Sequence, residues 1–254
     1  MLPTPASQVL LEVTKTLDVP YTSPEFLDVY RPVSAGDWPV VVIFHGGGDI
    51  KELWGDLATA IASHGAVVFV PTRHSGAPKP GARMELTGVE DAACSIRFAR
   101  AHASEYGGKD TRLVLVGHSE GAMQGALMML AGDDFHGDCL TQAGSALPDA
   151  FLGLDGGYDP IPFIPSEVLN NQPEDCLRLD PFTYIGRVPK RADIRFLLFV
   201  GTFPTAQRHS QAFRDALQAA GYGVLLVQIP GIEHNGFMKP LPEMVDAVFT
   251  LIEP

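Results

Sequence analysis

Three short segments bring together side chains and backbone suited to one kind of chemistry. Gly117-His118-Ser119-Glu120-Gly121 sets a serine between two glycines, Phe44-His45-Gly46-Gly47-Gly48 ends an apolar run in three glycines, and Ile232-Glu233-His234-Asn235-Gly236 carries a histidine late in the chain. A serine hydroxyl is a weak nucleophile until a base takes its proton. Imidazole, with an unperturbed pKa of ~6.5, is mostly neutral at pH 7 and suited to that task. Attack on a carbonyl then builds an oxyanion, which needs N–H groups aimed at one spot. Consecutive glycines let the backbone approach closely enough to aim them. Ser119 is therefore the expected nucleophile and His234 the expected base. The backbones of Gly47, Gly48 and Glu120 are the expected oxyanion donors.

Such groups act only if rigid elements hold them. Ser119 follows the buried run Leu113-Val114-Leu115-Val116 and precedes the helical run Ala122–Leu130, so a strand–turn–helix must lift its hydroxyl above a sheet edge. The Gly-rich segment follows Val40-Val41-Val42-Ile43-Phe44, apolar at every position as a strand covered on both faces should be. Further strands are expected at Ala66–Val70, Phe151–Leu154, Arg195–Val200 and Val224–Ile229, with helices at Ile50–His64, Glu85–Tyr106, Gln207–Ala220 and Pro242–Ile252. Val9–Thr14 and Phe26–Tyr30 read as two antiparallel edge strands joined by a Pro-bearing turn. The alternation predicts an α/β fold with a mostly parallel eight-stranded sheet and helices on both faces. One domain spanning 1–254 is expected, with small cap, lid or long-loop elements within 132–150 and 156–190.

Other polar residues near the strand ends are candidate substrate contacts: His45, Arg73, His74 and His118, although His45 suits an anchoring role better than proton transfer. Trp54, Phe163 and Tyr184 are further candidates, with packing as the plainer reading. His64, His102, His136 and His209 fall on helices or connecting loops and compete poorly with His234 as the base.

Composition narrows the partners. With 46% hydrophobic and 19% charged residues the 254-residue chain can bury a core, and no apolar run approaches the ~20 residues of a membrane-spanning helix. Eighteen basic against 30 acidic residues give a net charge of −12, which repels nucleic acid. A small-molecule acyl substrate is the expected partner. Oligomeric state is not legible. Cys94, Cys139 and Cys176 are odd in number, widely spaced and without CxxC, so free buried thiols are expected. With an N-terminus, Met1-Leu2-Pro3-Thr4-Pro5-Ala6, lacking a basic and then apolar leader, this points to the cytoplasm.

The chain resembles the HGGG-bearing carboxylesterase/lipase branch of the α/β-hydrolases, and dienelactone-hydrolase-like and acyl-aminopeptidase-like relatives. The likeness rests on His45–Gly48, on Gly117–Gly121, and on Glu90-Asp91-Ala92-Ala93 through Lys109-Asp110-Thr111-Arg112-Leu113 before the serine. It implies hydrolysis of an ester, amide or thioester through an acyl-serine, with no metal and no organic cofactor. That family places an Asp soon after the strand preceding the base. Here Val200-Gly201-Thr202-Phe203-Pro204 supplies none, and no carboxylate lies between Ile194 and Asp215. Geometry rather than sequence position defines the acid. Asp155 in Gly153-Leu154-Asp155, similar to the acid-bearing segment of pancreatic-type lipases, is the first candidate and Asp159 the second. Asp175, Asp180, Glu233 or no acid at all remain open, and an Asx turn before Gly156-Gly157 is the structural alternative for Asp155. A serine carboxylesterase-like hydrolase is the leading expectation. A non-catalytic ligand-binding homologue and a serine-dependent acyltransferase, lyase or cyclase are the alternatives.

Overall fold

The computed structural model describes residues 9–76, 78–186 and 195–253. The chain lays down β1 (Val13–Pro20), β2 (Phe26–Pro32), β3 (Trp38–Phe44), α1 (Gly55–Ser63), β4 (Val67–Pro71), α2 (Thr87–His102), β5 (Gly108–His118) and α3 (Glu120–Ala131). It continues with β6 (Ala150–Leu154), α4 (Ser166–Asn171), α5 (Pro173–Leu177), β7 (Arg195–Val200), α6 (Pro204–Ala219), β8 (Val224–Gln228) and α7 (Pro242–Ile252). The strands form one eight-stranded sheet in the order β1-β2-β4-β3-β5-β6-β7-β8. Pairing is antiparallel from β1 to β2 and from β2 to β4, and parallel across the rest.

The period of two in the central strands divides the core. Val40, Val42, Phe44, Leu113 and Leu115 pack with Ala92 and Ile96 of α2, Ala126 and Leu127 of α3, and Phe213 of α6. Val41, Ile43, Val114 and Val116 face the opposite way, toward Leu57 and Ile61 of α1 and Val248 and Leu251 of α7. A strand covered on both faces has no position at which a polar side chain is tolerated without a partner, which is why these runs carry none.

Register then decides what meets at the strand ends. Phe44 pairs with Gly117 and Gly117 with Gly153, while His118 pairs with Leu154 and Leu154 with Phe199. Ser119 and Asp155 are thus the first residues beyond neighbouring parallel strands, at the same height on the same edge.

Three sequence expectations are corrected here. The first strand is Val13–Pro20 rather than Val9–Thr14; Val9 and Leu10 are exposed, and the antiparallel partner of β2 runs from Val13 to Pro20. Cys94 and Cys139 are not free thiols but form a disulfide, with Cα atoms 5.0 Å apart, while Cys176 is free and buried. Linear spacing conceals the pairing, because only the packing of the segment after α3 against α2 makes 45-residue neighbours adjacent. The bond withdraws the cysteine argument for the cytoplasm. Finally, residues 132–150 are no lid. Phe135, Cys139 and Ala146 are buried, Arg97 of α2 donates to the Phe135 and Gly144 carbonyls, and Thr22 bridges Cys139. The expected 156–190 elements do stand over the strand ends, as α4, α5 and short turns at Ile161–Phe163 and Pro181–Tyr184; residues 187–190 lie outside the described ones. No helix among the described residues is long and apolar enough to cross a membrane.

Candidate active site

Ser119 occupies a sharp turn between β5 and α3. Its φ of 53° and ψ of −116° lie outside the ordinary L-residue regions, a strain that persists only where surrounding structure imposes it. Here four hydrogen bonds do so. The Ser119 N–H donates to the Leu154 carbonyl at 3.0 Å, and the Ser119 carbonyl accepts from the N–H groups of Ala122, Met123 and Gly157 at 3.1, 3.3 and 3.1 Å. The glycines to either side are required by space. A Cβ on Gly117 would strike the Gly121 carbonyl, and one on Gly121 would strike the carbonyls of Phe44 and His45.

His234 lies in a short 3-10 turn, His234–Met238, beyond β8. Its Nε2 is 3.1 Å from Ser119 Oγ and its Nδ1 3.1 Å from Asp155 Oδ2. An ionised carboxylate only accepts, so Nδ1 carries the proton and Nε2 is left to accept from the serine hydroxyl. Asp155 is fully buried, and its other oxygen, Oδ1, accepts the Gly201 N–H at 2.7 Å. Asp155 also takes a φ of 45°, fixed by its own N–H donating to the Phe199 carbonyl at 2.8 Å.

That arrangement accounts for the carboxylate missing after β7. The chain leaving β7 offers a backbone N–H, from Gly201, to the acid on the neighbouring strand, and a Cβ there would strike the Ile232 carbonyl. The other candidate acids are accounted for elsewhere. Asp159 and Asp180 accept the N–H groups of Ile161 and Phe182 in local turns, Asp175 sits within α5, and Glu233 is exposed.

Of the three expected oxyanion donors, Gly48 is turned elsewhere. The Gly48 N–H donates to Ser75 Oγ at 3.2 Å and Gly48 does not line the cavity over Ser119, so it has no place among them. Gly47 and Glu120 do line that cavity. Gly47 follows β3 directly, and Glu120 opens α3, where first-turn N–H groups have no intrahelical acceptor and the helix dipole favours negative charge.

The expected substrate contacts divide in the same way. His45, Arg73 and His118 are buried anchors rather than lining residues. His45 donates from Nδ1 to the Gly46 carbonyl and accepts the Arg73 N–H, and burial pushes its pKa down to about 3. Arg73 donates through Nη2 to the His45 carbonyl at 2.6 Å with its guanidinium over the Phe44 ring, and burial lowers it to about 10. His118 donates from Nε2 to the His234 carbonyl at 3.0 Å with its ring 4.6 Å from the His234 ring. Burial first, and the nearby His234 second, hold His118 down to about 4, so it stays neutral beside the base. Trp54 is buried against His118, and Tyr184 packs on Phe135. Only His74 and Phe163 of the wider set face a cavity.

The cavity over Ser119 has a volume of about 380 Å³ and apolar walls from Met84, Met123, Phe163, Ile164 and Leu179, with Phe203 against the His234 ring at 4.8 Å. A second, more polar recess of about 290 Å³ shares Gly76, Met84, Glu120 and Met123 with it and is lined further by His74, Lys79, Arg83 and Gln124. His74 is held there by Asp91, its Nδ1 donating at 2.7 Å, and that hydrogen bond raises its pKa above the ordinary value. Glu120 stands between the two spaces. Its carboxylate accepts the Gly76 N–H and Gln124 Nε2, and burial raises its pKa. Sequence reasoning missed Gly201, Phe203 and the cavity-lining Gly76, Pro78 and Met84. The first was legible as the glycine ending β7, whereas the others carry no chemical signal in one dimension. No group of described residues could hold a metal ion.

Residues 27–147 match the family model described as BD-FAE, a span that includes the Gly-rich segment and Ser119. The fold aligns with a truncated carbohydrate esterase from gut microbiota at a TM-score of 0.77 and 18% identity, covering 97% of this chain and 98% of that one. The chain has the α/β-hydrolase fold. Esterase B of Lactobacillus rhamnosis with a tributyrin phosphonate shares this α/β-hydrolase fold at a TM-score of 0.75 and 16% identity, over 96% of this chain and 85% of that one. A probable isoprenylcysteine α-carbonyl methylesterase of Arabidopsis thaliana is 27% identical over 248 residues, 88% of this α/β-hydrolase chain and 51% of the relative. The chain spans little more than half the length of the curated relatives it matches.

Proposed function

We propose that this chain is a serine hydrolase that cleaves a carboxylic ester of a small to medium substrate. The observation that carries the reading is the continuous relay Ser119 Oγ–His234 Nε2 and His234 Nδ1–Asp155 Oδ2 lining a largely apolar-walled cavity. As His234 takes the hydroxyl proton, Ser119 Oγ bonds to the ester carbon, and the carbonyl oxygen becomes an oxyanion held by the Gly47 and Glu120 N–H groups. Collapse expels the alkoxide, which leaves as the alcohol with the proton from His234. Water, deprotonated by the same imidazole, then attacks the acyl-serine; the acid departs and Ser119 regains its proton. Asp155 stabilises the imidazolium in both halves without itself taking a proton.

The esterases among the similar proteins support ester over amide chemistry. A binding-only reading was motivated by the absent carboxylate after Gly201, and Asp155 beside His234 removes that motive. Ser119→Ala is expected to abolish both turnover of p-nitrophenyl esters and covalent labelling by a fluorophosphonate. Retained turnover in that variant would sink the proposal.

A further inference from the structure

The residue after the nucleophile contributes a backbone N–H to the proposed chemistry, but its side chain has no role in the relay. Among the described residues, Glu120 is the one ionisable group lining the catalytic cavity that is not part of the proposed relay, since Asp155 and His234 hold each other. No lysine or arginine lines that cavity among the described residues; Lys79 and Arg83 stand only along the recess beyond Glu120. The carboxylate lies directly over the oxyanion segment, because a Cβ on Gly47 would strike Glu120 Oε2. It is fixed there by the Gly76 N–H, at 3.1 Å from Oε1 and 2.9 Å from Oε2, and by Gln124 Nε2 at 3.3 Å from Oε1.

Two donors, the Gly76 N–H forked across both oxygens and Gln124 Nε2 on Oε1, leave part of the carboxylate's acceptor capacity unused and its charge intact. The buried guanidinium of Arg73 favours the ionised form of Glu120. That guanidinium donates away from the cavity, to the His45 carbonyl, and does not line it, so a substrate meets Glu120 first. A bulky alcohol or acyl group seated over Ser119 must therefore lie beside a fixed negative charge in a partly desolvated, apolar-walled space.

We propose that the Glu120 side chain sets the charge preference of the site. It favours esters with a positively charged group, such as an ammonium, within a few bonds of the scissile carbonyl, and it disfavours esters with a carboxylate there. The inference rests on the hydrolase reading above and deepens it.

Choline butyrate and 3,3-dimethylbutyl butyrate have the same shape and differ by one charge. The quantity to measure is the ratio of their kcat/KM values at pH 8 in wild type, Glu120→Gln and Glu120→Asp, so that any change in basal turnover cancels within each variant. Opposite charges about 7 Å apart at an effective dielectric of ~20 predict a preference of roughly tenfold or more for the choline ester in wild type. Glu120→Gln keeps an acceptor for the Gly76 N–H and should bring the ratio to within about twofold of unity, whereas Glu120→Asp should keep most of the preference. A wild-type ratio near one, or the same ratio in Glu120→Gln, would overturn the inference. So would collapse in both variants, which would assign the effect to shape. Labelling of Ser119 by fluorophosphonate with neither ester hydrolysed also counts against it, whereas no labelling and no turnover would overturn the hydrolase reading itself.

Discussion

Replacing Asp155 by Asn changes one buried atom from an oxygen to an N–H₂ and should nearly silence the site without unfolding it. Asn Oδ1 can still accept the Gly201 N–H that holds Asp155 Oδ1 at 2.7 Å. Its amide nitrogen then faces His234 Nδ1 and donates, which obliges Nδ1 to accept and moves the imidazole proton to Nε2. Nε2 is the atom that must take the serine proton, so the resting tautomer is wrong for attack. The charge is lost as well. Across the 3.1 Å between Asp155 Oδ2 and His234 Nδ1, an effective dielectric of ~20 gives the carboxylate–imidazolium pair about 5 kcal/mol. At 1.36 kcal/mol per decade that is a loss of roughly 10³–10⁴ in kcat, with KM little changed because the pair matters only once imidazolium forms. Steady-state kinetics on a p-nitrophenyl ester, with thermal unfolding to check the fold, would measure it. A variant within tenfold of wild type, still folded, would mean that Asp155 does not stabilise the base.

Further outcomes follow from the same geometry. Gly47→Ala, whose Cβ would strike the Glu120 carboxylate, should cost far more kcat than Gly48→Ala, where nothing lies within 4 Å and only a φ of +76° is strained; equal losses would restore Gly48 to the oxyanion site. His45 and His118 are held near pKa values of about 3 and 4, so between those values and the ~6.5 of the unfolded chain the unfolded state binds more protons. Stability should then fall as pH drops from 7 toward 4, and His118→Asn should flatten that part of a Tm–pH profile; an unaltered profile would remove His118 as a cause. The Cys94–Cys139 bond closes a 45-residue separation, for which a chain-entropy treatment gives about 4 kcal/mol. Alkylation of the denatured, unreduced protein should modify one thiol, Cys176, and reductant should lower Tm by several degrees. Three modified thiols would show the bond to be absent.

The local elements were legible because each is decided by near neighbours in sequence. Five residues fix the turn at Ser119, since the glycines at 117 and 121 clear carbonyls that any Cβ would strike. The all-apolar run Val40–Phe44 must be covered on both faces, and it is. His234 was identifiable by residue type and by its place after the last strand. The acid was not resolved: Asp155 and Asp159 led, with Asp175, Asp180, Glu233 or no acid still open, because a carboxylate before glycine serves an Asx turn or a relay equally well in one dimension.

What decided it was strand register. Parallel pairing of His118 with Leu154 and of Leu154 with Phe199 sets Ser119, Asp155 and Gly201 on adjacent strand ends, so the carboxylate facing His234 follows β6 while the end of β7 gives it an N–H. Packing likewise turned Gly48 toward Ser75, buried His45, Arg73 and His118 as anchors, and joined Cys94 to Cys139. Residue type determines which chemistry is available and local spacing determines the turn that presents it. Which groups share a few ångströms depends on contacts between segments tens of residues apart, and those exist only once the sheet has formed.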